Sequence, residues 1–288
     1  MIRYCISGLT IGMIAPEWVL HDNLKTFLCQ TGDADVCCSV IFKKHINMLG
    51  EKANLIVKTS AILIYESEGF IHSFYDEKDI PYYAVASEDW SVCTMFVDPE
   101  YNDPDDEKIV QIVRDGLFAA LRDVMIAALA QKRGLIIHSS TIIWNDMGVA
   151  FSAPSGAGKS THTNLWKKMY GVWVLDGDAA ACRIVNGVSI VYGLPWCGTS
   201  GEFINHSVPL RAIVFLQQAK ENRIEKLDFH EAFIRLAARC FLQPWNDRMT
   251  NQFLDIIHEV AACTDCYLLN CLPDNDAVEM VKNCLGKN

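Results

Sequence analysis

The chain has 288 residues, a hydrophobic fraction of 51%, a charged fraction of 21% and a formal net charge of −10. These values describe an ordinary globular protein, and the acidic balance argues against nucleic acid or an anionic membrane surface as a partner. No apolar segment predicts a transmembrane helix. The twelve cysteines lack the spacing of a small secreted scaffold, so we expect reduced thiols in a cytoplasmic protein.

Residues 1–102 are predicted to form a β-rich module, to which the sequence assigns no particular role. Segments 53–65 and 90–97 are rich in β-branched and aromatic residues and are bounded by turn formers. A helix is predicted next, because Asp103 can cap its first N–H groups and Pro104 suits its first position. Basic residues and then Gly134 should end it. The second domain is therefore predicted to span residues 103–288.

Two short strands are predicted after this helix, at 135–137 and 141–144, with a turn at Asn145-Asp146. His138 would end the first strand. A histidine in that position can orient a carboxylate or sense a phosphate, although a lone histidine is more often a satisfied polar residue.

The segment from Ala153 to Thr161 reads APSGAGKST and lies between an apolar run and a helix-like stretch ending at Tyr170. Strand, glycine-rich loop and helix in this order are the pattern of a P-loop, G-x-x-x-x-G-K-[ST], with Ala153 in place of the first glycine. The alternative is a glycine- and serine-rich turn that happens to carry a lysine. We expect the loop to bind the phosphates of ATP, with Lys159 reaching the β- and γ-phosphates and Ser160 placing a hydroxyl on Mg²⁺. The expected nucleotide-binding residues are Ser155, Gly156, Ala157, Gly158, Lys159, Ser160 and Thr161.

An apolar strand, residues 172–175, ends in Asp176-Gly177-Asp178. A P-loop needs a carboxylate at the end of a neighbouring strand to hold Mg²⁺, and a second acid can accept the proton of an attacking hydroxyl. The alternative is a polar turn, since Asp and Gly are common there.

Asn186-Gly187 predicts a β-hairpin directly after the acidic pair. Arg183 and Arg211 are considered as further phosphate contacts on charge and position. Cys263 and Cys266 give the only spacing that hints at a metal, but no second close pair follows. Later strands are predicted at 210–216 and 267–270, and helices at 230–241, 247–262 and 274–285.

The stretch from Gly134 to Glu202 resembles the catalytic domain of HPr kinase/phosphorylase, a family that shares its nucleotide-binding core with ATP-dependent phosphoenolpyruvate carboxykinases. Residues 155–160 match that family's loop, His138 fits its strand histidine, and Gly177-Asp178 is similar to its paired acids. The segment 192–202 looks like a loop of HPr-kinase-related proteins encoded beside peptide-modification systems, where it could line the acceptor pocket. The likeness does not include the Arg- and Pro-rich segment of the bifunctional enzyme, so it implies neither phosphorylase activity nor HPr as substrate.

The resemblance implies an α/β fold with a P-loop core of this type, a mixed sheet, and Asp178 as a metal ligand or base. The expected function is an ATP- and Mg²⁺-dependent kinase that phosphorylates a hydroxyl, with a serine of a peptide or protein as the favoured acceptor. The expected catalytic residues are His138, Lys159, Asp176 and Asp178, and the expected metal ligands are Ser160 and Asp178. Two alternatives stay open. The first is another enzyme, either a kinase for a small molecule such as free serine or a carboxykinase-like enzyme. The second is a non-catalytic nucleotide-binding partner protein. The sequence leaves the acceptor, the oligomeric state and the choice of ATP over GTP open.

Overall fold

The structure is a computed structural model that describes residues 1–30, 32–44, 53–59, 62–75 and 82–286. By their internal contacts the residues group into two compact units, each described separately below. The first unit is Met1–Gln131 with Gln243–Thr250, and the second is Lys132–Leu242 with Asn251–Asn288. The long helix that the sequence placed in the second domain thus groups with the first unit.

The first unit is built on an eight-stranded mixed sheet with strand order β1-β2-β3-β8-β7-β6-β5-β4. Strand β3 pairs in parallel with β2 and with β8, and the other pairs are antiparallel. Buried residues alternate with more accessible ones along β3, so one side of that strand is buried. The elements are β1 (Ile2–Ile6), β2 (Leu9–Ile14), β3 (Val36–Phe42), β4 (Asn54–Lys58), β5 (Ile62–Ser67), β6 (Phe70–Tyr75), β7 (Tyr82–Ser87), β8 (Val92–Val97) and helix α1 (Glu107–Gln131).

Segment 53–65, which the sequence favoured as β-structure, forms an antiparallel pair, β4 and β5, and residues 60 and 61 between them lie outside the described residues. The predicted cap of the long helix was wrong. The cap of α1 is Asp106, whose Oδ1 accepts hydrogen bonds from the N–H groups of Lys108 at 2.9 Å and Ile109 at 3.3 Å. Asp103 instead accepts from the N–H group of Asp105, within the turn that precedes the helix.

The second unit contains a nine-stranded mixed sheet flanked by helices. Strand order is β10-β9-β12-β13-β14-β17-β15, β11 and β16 pair with β9, and β14 pairs in parallel with both β10 and β17. Helix α4 contributes its first turn to the first unit and its remainder to the second. The elements are β9 (Gly134–Trp144), β10 (Met147–Ser152), α2 (Lys159–Tyr170), β11 (Trp173–Asp176), β12 (Ala179–Val185), β13 (Val188–Tyr192), β14 (Ser207–Gln218), β15 (Arg223–Lys226), α3 (Phe229–Ala237), β16 (Cys240–Phe241), α4 (Asp247–Cys263), β17 (Asp265–Cys271) and α5 (Asn275–Leu285).

The core of this unit lies between the parallel strands and helices α2 and α5. Trp166 of α2 is fully buried and packs against Phe151 of β10, and Val214 and Val278 belong to the same cluster. Full burial of a side chain of this kind contributes about 1.5–3 kcal/mol. This packing fixes the position of α2 relative to the end of β10.

Strand β9 is continuous where the sequence predicted two strands. Ser139 and Ser140 interrupt the apolar pattern, but both are buried, and Ser140 Oγ lies 2.8 Å from Thr163 Oγ1 of α2. The helix predicted over 230–241 ends at Ala237, after which Cys240–Phe241 joins the sheet as β16. Helices α2, α4 and α5 and the hairpin β12–β13 confirm their predictions. In the described ranges, no helix is both long and apolar enough to span a bilayer.

Candidate active site at the middle of strand β9

The candidate site lies at the middle of β9, where on each side one partner strand ends and another begins. On one side β12 pairs with β9 up to His138, and β11 pairs with it from Thr141 onward. The N–H group of Ser139 donates to the carbonyl oxygen of Asp178 at 3.0 Å, and that of His138 donates to the carbonyl of Arg239 at 2.8 Å. The acidic turn and the chain entering β16 are therefore held on opposite sides of the same two residues of β9.

A glycine loop, Ala153–Gly158, connects β10 to α2. Gly158 has φ of 106° and precedes the first residue of α2, a conformation that an L side chain rarely adopts. Ala153 keeps a negative φ and is buried, as its Cβ requires. The residues at the tip of the loop, Pro154 to Gly156, are exposed, as are Ser160 and Thr161 at the start of α2. The loop thus presents a helix N-terminus and free backbone N–H groups at the surface, which is an arrangement that suits an anion.

Lys159 points back from α2 towards β9. Its Nζ atom lies 2.8 Å from Nε2 of His138 and donates to the carbonyl oxygen of Ala153 at 3.1 Å. The first turn of α2 is held in place by Thr163, whose Oγ1 donates to the carbonyl of Lys159 at 3.0 Å and also contacts Ser140 of β9. A lysine held at the mouth of an anion-binding loop can neutralise charge on a phosphate there.

The electrostatics of the site favour the neutral form of His138. Burial lowers the pKa of His138, the charge of Lys159 lowers it further, and Asp178 opposes them. Burial likewise lowers the pKa of Lys159. The charge of Asp178 opposes this shift, and the charge of Arg239 adds to it. Because an ammonium group only donates hydrogen bonds, the Lys159–His138 contact requires Nε2 of His138 to be the acceptor.

Asp176 is buried and bonded on both of its oxygens. Oδ1 accepts from the N–H groups of Asp178 at 3.0 Å and Ala179 at 2.9 Å, and Oδ2 accepts from that of Leu194 at 2.9 Å. Burial raises the pKa of Asp176 to about 8, although the three N–H donors favour the charged form. Asp176 is therefore placed to fix the acidic turn and the chain at Leu194, rather than to contact a ligand.

Asp178 faces the open side of the site. Its Oδ1 lies 3.6 Å from Nε2 of His138, and its side chain is 42% exposed. The loop 193–202 packs against it, since a Cβ added at Gly198 would come within 2.6 Å of Asp178 Oδ2. This loop is anchored by an ion pair between Glu202 and Lys167 of α2. Of the two acids that the sequence singled out, Asp178 is the one in reach of His138 and of solvent.

Arg239 is a site residue that sequence reasoning missed. It follows α3 and precedes β16, so the pairing of β16 with β9 places it beside His138, and its charge lowers the pKa of His138 and of Lys159. The helix predicted through residue 241 would have placed it elsewhere, and no local signal indicates the change.

Two arginines considered as phosphate contacts lie away from the glycine loop. Arg211 pairs with Asp265 at 2.9 Å at the amino end of β14, and Arg183 on β12 donates to the carbonyl of Lys132. Within the described part of the chain, no three His, Cys, Asp or Glu side chains are grouped to share a metal ion, and this includes the Cys263–Cys266 pair.

Comparisons with known proteins bear on this region. A family model described as SynChlorMet cassette protein ScmC matches residues 100–271, which contain every site residue named above. No curated protein sequence matches the chain. Among solved structures the chain is similar to the Hpr(Ser) kinase/phosphatase from Coxiella burnetii, at 12% sequence identity and a TM-score of 0.31, over 52% of this chain and 89% of that chain.

Proposed function

The chain belongs to the ScmC family, and we propose that it is a Mg²⁺- and ATP-dependent kinase that transfers the γ-phosphoryl group to a serine hydroxyl of a peptide or protein. The observation that carries the proposal is that Lys159, His138 and Asp178 lie together at the mouth of the glycine loop. Nε2 of His138 is 2.8 Å from Nζ of Lys159 and 3.6 Å from Oδ1 of Asp178. Phosphoryl transfer requires little covalent chemistry from a protein, and it depends on positioning and charge. These three side chains and Arg239 supply both.

The donor side of the site fits ATP. The positive φ of Gly156 and Gly158 and the exposed start of α2 leave backbone N–H groups available for phosphate oxygens. Lys159 would bind the β- and γ-phosphates, and Ser155, Gly156, Ala157, Ser160 and Thr161 would complete the cradle. Ser160 and Asp178 offer the oxygen ligands that Mg²⁺ prefers, and the ion would supply charge neutralisation on the phosphates.

The acceptor side depends on Asp178. The acceptor oxygen would bond to the γ-phosphorus as the bond to the bridging oxygen breaks, ADP would leave, and the hydroxyl proton would pass to the Asp178 carboxylate. Asp176 is unsuited to this step because both of its oxygens already accept main-chain N–H groups. An ionised carboxylate has about four lone-pair sites, so Asp178 can serve both as proton acceptor and as metal ligand.

Lys159 and Arg239 would stabilise the charge on the transferring group, while neutral His138 would hold Lys159 and lie against Asp178. Removal of one preorganised donor from a site where charge develops typically lowers kcat by a factor of about 10²–10³. The proposal therefore predicts that Lys159 is indispensable and that His138 acts through the residues on either side of it.

The test uses full-length protein, Mg²⁺, ATP radiolabelled on its γ-phosphorus and a pool of synthetic serine peptides. The wild type should label the peptides, Lys159→Ala should abolish labelling, and Lys168→Ala, an exposed lysine on the same helix, should leave it unchanged. Labelling of free serine but of no peptide would favour the small-molecule alternative. Binding of ATP without labelling of any acceptor would favour a nucleotide-binding partner protein.

A further inference from the structure

A cavity of about 500 Å³ lies between the glycine loop and helix α3, and we call it the α3 cavity. It is found at the carboxyl ends of the parallel strands β10 and β14, the edge where ligands of open α/β sheets bind. A cavity of similar size lies at the opposite, amino ends of β10, β14 and β17, where the glycine loop is absent. The α3 cavity is lined by Ser152, Ala153, Pro154, Phe215, Leu216, Gln217, Glu231, Ile234, Arg235, Ala238 and Arg239.

The α3 cavity borders the γ-phosphate end of the proposed ATP site. Ala153 lines the cavity, and its carbonyl oxygen accepts from Lys159 Nζ at 3.1 Å. In a P-loop the lysine reaches the β- and γ-phosphates, so the side of the loop that Lys159 contacts is the side from which a group is transferred. Arg239 also belongs to both places, since it lines the cavity and lowers the pKa of His138 and Lys159.

The lining combines apolar and positively charged groups. Phe215 and Leu216 are buried at the end of β14, and Ile234 is 66% exposed on the α3 side. Arg235 pairs with Glu231 at 2.9 Å, and Arg239 adds a second guanidinium. Two arginines against one glutamate make the cavity cationic in a chain whose net charge is −10. This composition suits an apolar side chain accompanied by a carboxylate.

We propose that the α3 cavity binds the acceptor peptide beside its serine and selects an apolar residue and a carboxylate there. The volume lies within the range of about 300–1,000 Å³ typical of ligand clefts, so the cavity has room for more than one side chain. The assignment to the acceptor rests on the proposed kinase function, whereas the chemical preference rests on the cavity lining alone.

The experiment measures binding separately from phosphoryl transfer. Fluorescent synthetic peptides contain one serine, with Leu and Asp placed at successive positions around it, and a matching set carries Lys in place of Asp. Fluorescence anisotropy gives their affinities for the full chain in Mg²⁺ and a non-hydrolysable ATP analogue. The tightest Asp peptide should bind about tenfold more tightly than its Lys counterpart, a difference of about 1.4 kcal/mol.

Three variants locate the preference. Arg235→Glu should abolish or invert the preference for Asp, Arg235→Gln should reduce it, and neither should change the affinity for the ATP analogue. Arg223→Glu, a matched charge reversal on the exposed strand β15, should keep the wild-type preference. Thermal unfolding of each variant shows that it is folded.

Several results would overturn the proposal. The first is equal binding of Asp and Lys peptides by the wild type, and the second is an unchanged preference for Asp in Arg235→Glu. The third is a loss of affinity for the ATP analogue in that variant, because it would make the cavity part of the nucleotide site. Competition by free N-acetyl-aspartate as strong as by the peptide would make it a small-molecule site instead. Peptides that bind with the expected preference but receive no phosphate would contradict the kinase function and the role of the cavity as an acceptor site, and would leave only its chemical preference intact.

Discussion

Nζ of Lys159 lies 2.8 Å from Nε2 of His138, and the same imidazole nitrogen lies 3.6 Å from Oδ1 of Asp178. His138 therefore stands between the residue proposed for the phosphates and the residue proposed for the acceptor. Only a neutral imidazole can accept the hydrogen bond that Lys159 donates. The protonation state of His138 is thus a direct report on this arrangement.

The first prediction concerns the titration of His138. Burial and the charge of Lys159 lower its pKa, so its NMR titration midpoint should lie below the usual 6.5. Lys159→Ala removes the cation and should raise the midpoint towards the usual value, whereas Lys168→Ala should leave it in place. A midpoint that does not respond to Lys159→Ala would mean that the two side chains do not interact in solution.

The second prediction separates the two acids. Asp178→Asn should abolish peptide phosphorylation with little change in the free energy of unfolding, because the Asp178 side chain is half exposed. Asp176→Asn should destabilise the protein by about 1–3 kcal/mol, because an amide cannot accept hydrogen bonds on both sides and one buried N–H group loses its partner. Urea unfolding and an initial-rate assay check the two effects. Full activity of Asp178→Asn would exclude Asp178 as the base.

The third prediction uses two glycines of one loop. Gly198 has φ of +56° and Gly201 has φ of +65°, so replacement by Ala should cost each a similar backbone strain of about 1–2 kcal/mol. A Cβ at Gly198 would come within 2.6 Å of Asp178 Oδ2, whereas nothing lies within 4 Å of a Cβ at Gly201. Gly198→Ala should therefore lower the rate of transfer well below that of Gly201→Ala. Equal rates would show that the loop does not position Asp178.

The fourth prediction concerns the pH dependence of stability. His162 is buried in α2, accepts from Trp166 Nε1 at 3.2 Å, and has its pKa lowered to about 4 by burial. The unfolded chain binds a proton near pH 6.5, so the stability from neutral His162 is present above that pH and is lost as pH falls towards 4, by up to about 3 kcal/mol.

His162→Gln keeps an acceptor for Trp166 and removes the titration. Its free energy of unfolding should fall less between pH 7 and pH 5 than that of the wild type. His230→Gln changes an exposed histidine on α3 and should behave as the wild type does. Identical pH profiles for the wild type and His162→Gln would contradict the buried neutral state.

The local parts of the site were predictable because local chemistry determines them. Gly158 and Lys159 mark the loop and the start of α2 through backbone requirements that are written in neighbouring residues. Asp176 and Asp178 were expected after a strand; Asp176 is its last residue, and Asp178 follows two residues later. The burial of Asp176 and the exposure of Asp178 were not predictable. The buried Asp176 accepts a hydrogen bond from the N–H group of Leu194, which lies 18 residues away in the chain.

The rest depends on tertiary pairing. Ser139 and Ser140 indicate a break in a strand, yet β9 continues through them because buried partners such as Thr163 satisfy their hydroxyls. The periodicity that predicted a helix through residue 241 ignores β9, whose hydrogen bonds draw the chain into β16 and place Arg239 beside His138. Strand pairing of this kind overrides local helix propensity, because the paired strands form a sheet over a buried surface.

Transfer of the γ-phosphoryl group from ATP to a serine can be followed with radiolabelled ATP. A serine peptide that the protein binds is incubated with the full chain, Mg²⁺ and ATP that carries the radiolabel on either the γ-phosphorus or the α-phosphorus. Only the γ-label should appear on the peptide serine, and that label should be absent with Lys159→Ala and with Asp178→Asn. Transfer of the α-label, or γ-labelling that survives both substitutions, would contradict the proposed function.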